Sequence, residues 1–153
     1  MTSRFRPLNV RGNGMFGYRK RQNIKQVRRY IAALNNRDAD EMIGMLHEDC
    51  CFVDSKAFCV EGRADCASSI RNFMRMNIGF RLNAQSFSVR DGDVLIKGYT
   101  EADDASFAQD TLWMVRMAAG KLAHWQSFGG SEGASVARAV LPAAAKPFNQ
   151  LPY

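Results

Sequence analysis

The chain has 153 residues and a net charge of +6, with 46% hydrophobic and 24% charged residues. That length suits one domain, which buries roughly two thirds of its unfolded surface. The composition excludes collagen-like, low-complexity and disulfide-scaffold classes, and no apolar run approaches the roughly 20 residues that span a bilayer.

No secretory apolar region follows the basic N-terminus, so a cytoplasmic location without a membrane partner is expected. Cys50, Cys51, Cys59 and Cys66 fall in one short segment without CxxC spacing. Adjacent Cys50 and Cys51 point to opposite faces of a strand. Neither a metal site nor a disulfide framework is expected; the four read as reduced thiols, most of them small buried hydrophobes. The charge is unevenly placed. Residues 1–37 hold ten Lys and Arg and no acid, whereas the remaining 116 hold eleven basic and fifteen acidic residues. The folded body is therefore acidic, and the basic excess belongs to an N-terminal arm. Nucleic acid is not an expected partner.

Residues 1–19 contain Pro7, three glycines and scattered basic residues without a period. They read as a loose, flexible arm. Ile24, Val27, Ile31 and Leu34 then repeat at helical spacing and predict a helix over 22–35, with Tyr30 bordering the apolar stripe. Asp38-Ala39-Asp40-Glu41 is a capping box, in which Asp38 accepts from first-turn amides and Glu41 reaches back. It opens a second helix over 39–47, which places His47 at a helix C-terminus, where an imidazolium is favoured. A strand over 50–54, a turn at Ser55-Lys56 and a brief strand to Val60 come next. Gly62 breaks the pattern before a third helix over 63–76, with Ile70, Phe73 and Met74 inward.

Alternation predicts strands over 80–90 and 93–102, joined by an Asp91-Gly92 hairpin turn. The longest signal is a pair of strands over 105–117 and 121–128, rich in aromatic and β-branched types. Ala118-Ala119-Gly120 reads as a three-residue loop. That register sets Met117 opposite Lys121, Trp113 opposite Trp125 and Thr111 opposite Ser127. By strand parity Thr111, Trp113, Val115, Trp125 and Ser127 share one face. Asp110, Leu112, Met114, Arg116, His124, Gln126 and Phe128 share the other. Both faces are largely apolar, so helices are expected on one and a partner subunit on part of the other. His124 then belongs to the outer face or to an interface, and Asp110 and Arg116 to polar contacts there. Ser135 to Leu141 suits a short helix within an Ala-, Gly- and Pro-rich tail over 131–153. Three helices, a short strand pair and four antiparallel strands make an α+β domain over 20–130.

Tyr30-Ile31-Ala32-Ala33-Leu34-Asn35, Asp38-Ala39-Asp40, Leu46-His47-Glu48-Asp49, Phe52-Val53-Asp54, Glu61-Gly62-Arg63, Asp110-Thr111-Leu112-Trp113 and Gly120-Lys121-Leu122-Ala123-His124-Trp125-Gln126-Ser127-Phe128 together resemble the SnoaL-like, ketosteroid-isomerase-like branch of the NTF2-like superfamily. The resemblance covers about residues 22–129. It implies an NTF2-like (cystatin-like) cone, in which N-terminal helices pack on a strongly curved antiparallel sheet around a pocket. It also implies a homodimer through the outer sheet face. The superfamily hosts isomerases, cyclases, dehydratases and epoxide hydrolases beside non-enzymatic binding and assembly domains, so the fold alone does not give an activity.

Carried over from ketosteroid isomerase, the oxyanion-donating tyrosine of the first helix falls on Tyr30. The proton-shuttling aspartate at the end of the first strand falls on Asp54. The second donor of that family, a protonated aspartate on the long strand, is replaced here by Trp113. Asp110 lies on the opposite face and does not substitute. The chemistry implied is cofactor-free proton transfer on a small apolar carbonyl compound, by an isomerase, cyclase or dehydratase. Asp54 would be the base and Tyr30 would hold the developing enolate, aided by the Trp113 indole. Trp113, Trp125, Thr111, Val115 and Phe73 would line the substrate site. Two indoles in one cone leave no room for a full steroid. The alternative is a non-catalytic ligand-binding or dimerisation domain, in which Asp54 merely caps its turn and Tyr30 is a core residue.

Overall fold

The computed structural model describes residues 2–129 and 133–149, with side chains from Gly17 onward. Helix α1 runs Thr2–Asn35 and α2 Ala39–Gly44; strands β1 Leu46–Val53 and β2 Phe58–Glu61 come after them. Next come α3 Arg63–Met76, β3 Arg81–Arg90, β4 Asp93–Glu101, a 3-10 turn Ala105–Phe107, β5 Asp110–Ala118, β6 Lys121–Gly129, α4 Val136–Val140 and β7 Lys146–Pro147. The strands form one seven-stranded sheet in the order β3-β4-β5-β6-β1-β2-β7. Neighbours are antiparallel, as expected, except β1 and β6, which run parallel. At that single junction the two halves, β1–β2 and β3–β6, lie side by side rather than being joined by a hairpin.

The helices lie on one face of this sheet. On α1, Val27, Tyr30, Ile31 and Ala33 are buried, as the 3.6-residue spacing requires. The predicted helix 22–35 is the C-terminal part of α1. Residues 2–19, read from sequence as a loose arm, continue α1 toward its N-terminus, with side chains described only from Gly17. Asn35 ends the helix by pairing with β3: its Nδ2 donates to the Leu82 carbonyl at 2.9 Å, and the Leu82 N–H donates to its Oδ1 at 2.8 Å.

Asp38 caps α2 through the Glu41 N–H at 3.1 Å, but Glu41 pairs with Arg29 instead of reaching back. The helix also ends earlier than predicted, because the sheet captures the next residues. The Leu122 N–H donates to the Met45 carbonyl at 2.8 Å, and Leu46 begins β1. His47 therefore sits in a strand, its Nδ1 accepting from the Asp49 N–H at 3.0 Å, and the helix-terminus role falls away.

The strand predicted from residue 105 starts at Asp110. Residues 105–107 form the 3-10 turn, whose carbonyl at Phe107 accepts from Thr100 Oγ1 at 2.7 Å. The β5–β6 register also differs from the prediction. Ala118 faces Lys121 across a two-residue turn, with Ala119 at φ 50° and Gly120 at φ 76°. A bulge then separates the Met117–Leu122 pair from the Arg116–His124 pair. Trp113 consequently faces Ser127, and Val115 faces Trp125. Turn and bulge together shift the pairing by two residues, which preserves parity. The predicted inward face of Thr111, Trp113, Trp125 and Ser127 survives although its cross-strand partners change.

Curvature has two visible sources. A bulge interrupts the β3–β4 ladder between Ala84 and Ser86. At the same place a Cβ on Gly98 would lie 2.1 Å from the Asn83 carbonyl oxygen, so only glycine lets the two strands close at this bend.

Candidate functional site

Between the helices and the concave face of the sheet lies a cavity of about 170 Å³. Tyr30 from α1 and Phe73 from α3 form its helical wall; Thr111, Trp113 and Trp125 form its sheet wall; Asp54 stands at the end of β1. Six of the seven predicted site residues thus border one space. Val115 does not: it is wholly buried in the sheet and lies outside the lining.

The walls are aromatic and tilted against one another. The Tyr30 and Trp125 rings are 5.3 Å apart at 43°, and the Trp113 and Trp125 rings 6.4 Å apart at 46°. Phe73 meets Phe80 edge-on at 5.0 Å. These separations suit the quadrupoles of the rings and stack them along the walls. The indoles narrow the space without filling it.

Tyr30 is 4% exposed, and its hydroxyl makes no hydrogen bond to protein among the described residues. Burial, then the nearby Cys66 and Cys50 thiols, raises its pKa far above the ordinary 10.0. Tyr30 is therefore a phenol at every physiological pH: a donor, not a base. Ser69, on α3 one turn before Phe73, also lines the cavity, and its buried Oγ has no hydrogen-bond partner among the described residues. Sequence reasoning missed it, although its place four residues before Phe73 puts it on the same helical face. The Ser69 hydroxyl calls for an explanation, since an unsatisfied buried polar group costs about 1–3 kcal/mol.

Asp54 has the opposite character. Its Oδ1 accepts from the Lys56 and Phe58 N–H groups at 2.9 and 3.0 Å. Its Oδ2 accepts from Ser135 Oγ at 2.5 Å and the Ala137 N–H at 3.0 Å. A carboxylate offers about four lone-pair positions, and here all are taken. Asp54 closes the β1–β2 turn and clasps the segment that starts α4. That segment lines the cavity with Ala134, Val136 and Ala137, and Asn72 of α3 holds its far end through the Val140 carbonyl at 2.8 Å. Nothing in the tail sequence announces this wall; Ser135 shows only the pattern of a helix cap.

The outer face of the sheet is separate from this cavity. Arg116 there makes a two-pronged ion pair with Asp93, at 2.9 and 3.1 Å. His124 lies on that face, its Nε2 3.0 Å from Gln126 Oε1, and takes no part in the cavity.

No curated protein matches the chain in sequence. Solved structures share its fold at low identity. An epoxide hydrolase/cyclase-like enzyme, SalBIII, associated with pyran ring formation in polyether salinomycin, matches with a TM-score of 0.63 and 16% identity, covering 72% of this chain and 92% of its own. A LEH-like epoxide hydrolase of M. tuberculosis matches with a TM-score of 0.63 and 17% identity over 72% of this chain and 80% of its own. An NTF2-like protein of unknown function from Cytophaga hutchinsonii matches with a TM-score of 0.57 and 13% identity, covering 69% and 87%. At these identities the likeness is one of fold: helices on a curved sheet around a cone. Residues 27–125 match the SnoaL-like domain, and with the cone and its cavity in place the chain belongs to that family.

Proposed function

We propose that the protein binds a small, flat, mostly apolar molecule of one or two rings that carries a carbonyl or similar acceptor. The observation that carries this reading is Tyr30, its hydroxyl without a hydrogen-bond partner among the described residues, on the wall of an aromatic-walled cavity. Size sets the class of ligand. An apolar cavity of about 150 Å³ admits benzene, so about 170 Å³ admits one substituted ring or a compact bicycle, not a steroid. The ring system stacks against Trp113 and Trp125, and its acceptor takes the Tyr30 proton. Ser69 offers a second hydroxyl after rotation about its Cα–Cβ bond.

Both tryptophans of the chain line the cavity, so intrinsic fluorescence reports on it directly. Titration with acetophenone, cyclohexenone and 2-naphthol should quench that emission. Tyr30→Phe should weaken binding about tenfold, the loss of one net hydrogen bond of about 1–1.5 kcal/mol. Equal binding by the variant, or no response to any of the three, rejects the reading.

A second reading, proton transfer on such a ligand by an isomerase or cyclase, draws on Asp54 bordering the same cavity. It requires Asp54 to release a hydrogen bond first, because none of its lone pairs is free to take a proton. Binding is therefore the better-supported role. Base-catalysed exchange of the protons next to the carbonyl of bound cyclohexenone, monitored by NMR in heavy water, separates the two. Exchange in the wild type that is lost in Asp54→Asn supports catalysis, and exchange no faster than in buffer leaves binding alone.

We also propose that the chain forms a homodimer through the outer face of the sheet. Leu112 and Phe128 pair across β5 and β6 there and are 53% and 47% exposed. Large apolar side chains side by side on a surface favour a partner.

A further inference from the structure

The face of the sheet away from the cavity gathers a set of side chains that linear spacing conceals. Across β1 and β2, Cys51 faces Glu61 and Val53 faces Cys59. Residues two apart on a strand share a face, so Cys51, Cys59 and Glu61 project together. Their two sulfurs and a carboxylate oxygen lie within 4.8 Å of one another. Cys59 is buried, Cys51 half-buried and Glu61 exposed, which makes a cup open on one side. Glu61 is oriented from both ends. Its Oε1 lies 4.0 Å from Cys59 Sγ, and its Oε2 accepts from Lys146 Nζ of β7 at 2.9 Å. His124 is the β6 partner of Cys51, and Asp49, Cys51, Glu61 and His124 border one surface hollow.

We propose that Cys51, Cys59 and Glu61 form a binding site for a thiophilic divalent cation, zinc above all. Two sulfur donors select a borderline-soft metal over magnesium or calcium, which prefer oxygen ligands. The geometry is nearly closed already. Zinc–sulfur bonds of about 2.3 Å place two sulfurs of a tetrahedron about 3.8 Å apart. A cluster spanning no more than 4.8 Å needs sulfur movements of about 1 Å at most to reach that distance. On binding, each thiol gives its proton to solvent as its sulfur–zinc bond forms, since the thiolate is the ligand. Two thiolates and one carboxylate around Zn²⁺ leave one net negative charge, which Lys146 balances from the outer oxygen of Glu61. Such outer partners fix the orientation of ligating groups. A fourth position remains for water or, on turning its ring from Gln126, for His124. Without a cation the two thiols hold their protons: burial raises both, and with Cys59 and Glu61 beside it the Cys51 thiol is pushed up to about 12.

The test uses the reduced full-length chain with Co²⁺ as a spectroscopic probe. One equivalent should bind with a thiolate-to-cobalt charge-transfer band and tetrahedral visible bands, and Zn²⁺ should displace it. Cys51→Ser and Glu61→Gln should each raise the dissociation constant at least about tenfold. Glu61→Gln alters an exposed side chain and keeps the test valid if Cys51→Ser folds poorly. A hydrated six-coordinate cobalt spectrum overturns the proposal. So does equal affinity in the wild type and both variants, or a Cys51–Cys59 disulfide that forms instead of the metal complex.

Discussion

At the residue scale Tyr30 and Asp54, both on the cavity wall, divide their work. Tyr30 has no hydrogen-bond partner among the described residues and supports the proposed ligand contact; Asp54 is fully paired and points to structure. Asp54→Asn places an amide N–H₂ where acceptors are needed, against the Ala137 or Phe58 N–H. It should cost about 3 kcal/mol, the upper range for a buried hydrogen bond to a charged group. Urea unfolding of the variant checks this; a loss below about 1 kcal/mol would show that the clasp is not structural. Tyr30 also sets an alkaline limit. Its folded pKa is raised, so its contribution to stability is complete below 10.0, the value in the unfolded chain. It is lost as pH rises from 10.0 towards the folded value, by up to about 1.4 kcal/mol per pH unit for one proton. The slope of unfolding free energy between about pH 10 and 11 should be shallower in Tyr30→Phe than in the wild type.

At the element scale the β5–β6 hairpin shows how a turn sets register. Ala119 and Gly120 both adopt positive φ, the arrangement of a type I′ turn, whose twist matches the strands it joins. Alanine at φ 50° bears the Cβ–carbonyl crowding of the left-handed region, a penalty of roughly 1 kcal/mol that asparagine largely avoids. Ala119→Asn should therefore raise stability by about 0.5–1 kcal/mol. A lowered midpoint in thermal unfolding would contradict the turn assignment. The three-residue loop predicted from Ala118-Ala119-Gly120 failed here because the same residues serve either length. The bulge beside Ala123, which no local residue type announces, decides between them.

At the scale of the whole molecule, the chain closes its own cone from both ends. The first helix supplies the phenol, and the segment before α4 supplies a wall clasped by Asp54. The open side of the sheet carries the Leu112–Phe128 pair and, nearer β2, the thiol cluster. No helix among the described residues is long and apolar enough to cross a membrane. If the exposed pair forms the homodimer, Leu112→Glu should convert a dimer to a monomer in analytical ultracentrifugation while ligand binding by Trp fluorescence persists. A wild-type chain that sediments as a monomer at micromolar concentration removes the outer-face dimer.

The sequence by itself determined the elements and the faces. Apolar period 3.6 marked the C-terminal part of α1, over 22–35, and α3; alternation marked β3 to β6; and parity alone put Trp113 and Trp125 on one inner wall, because those rules act over a few residues. It also carried the family, since the motifs lie on those same elements. What the tertiary structure alone decided is which polar atoms are spoken for. Asp54 is occupied by residues more than 80 positions away, Ser69 is left without a partner among the described residues, and Cys51 meets Cys59 and Glu61 across a ladder. Each of these depends on long-range pairing and on the bulges that bend the sheet, and side-chain satisfaction arises from that geometry rather than from residue type.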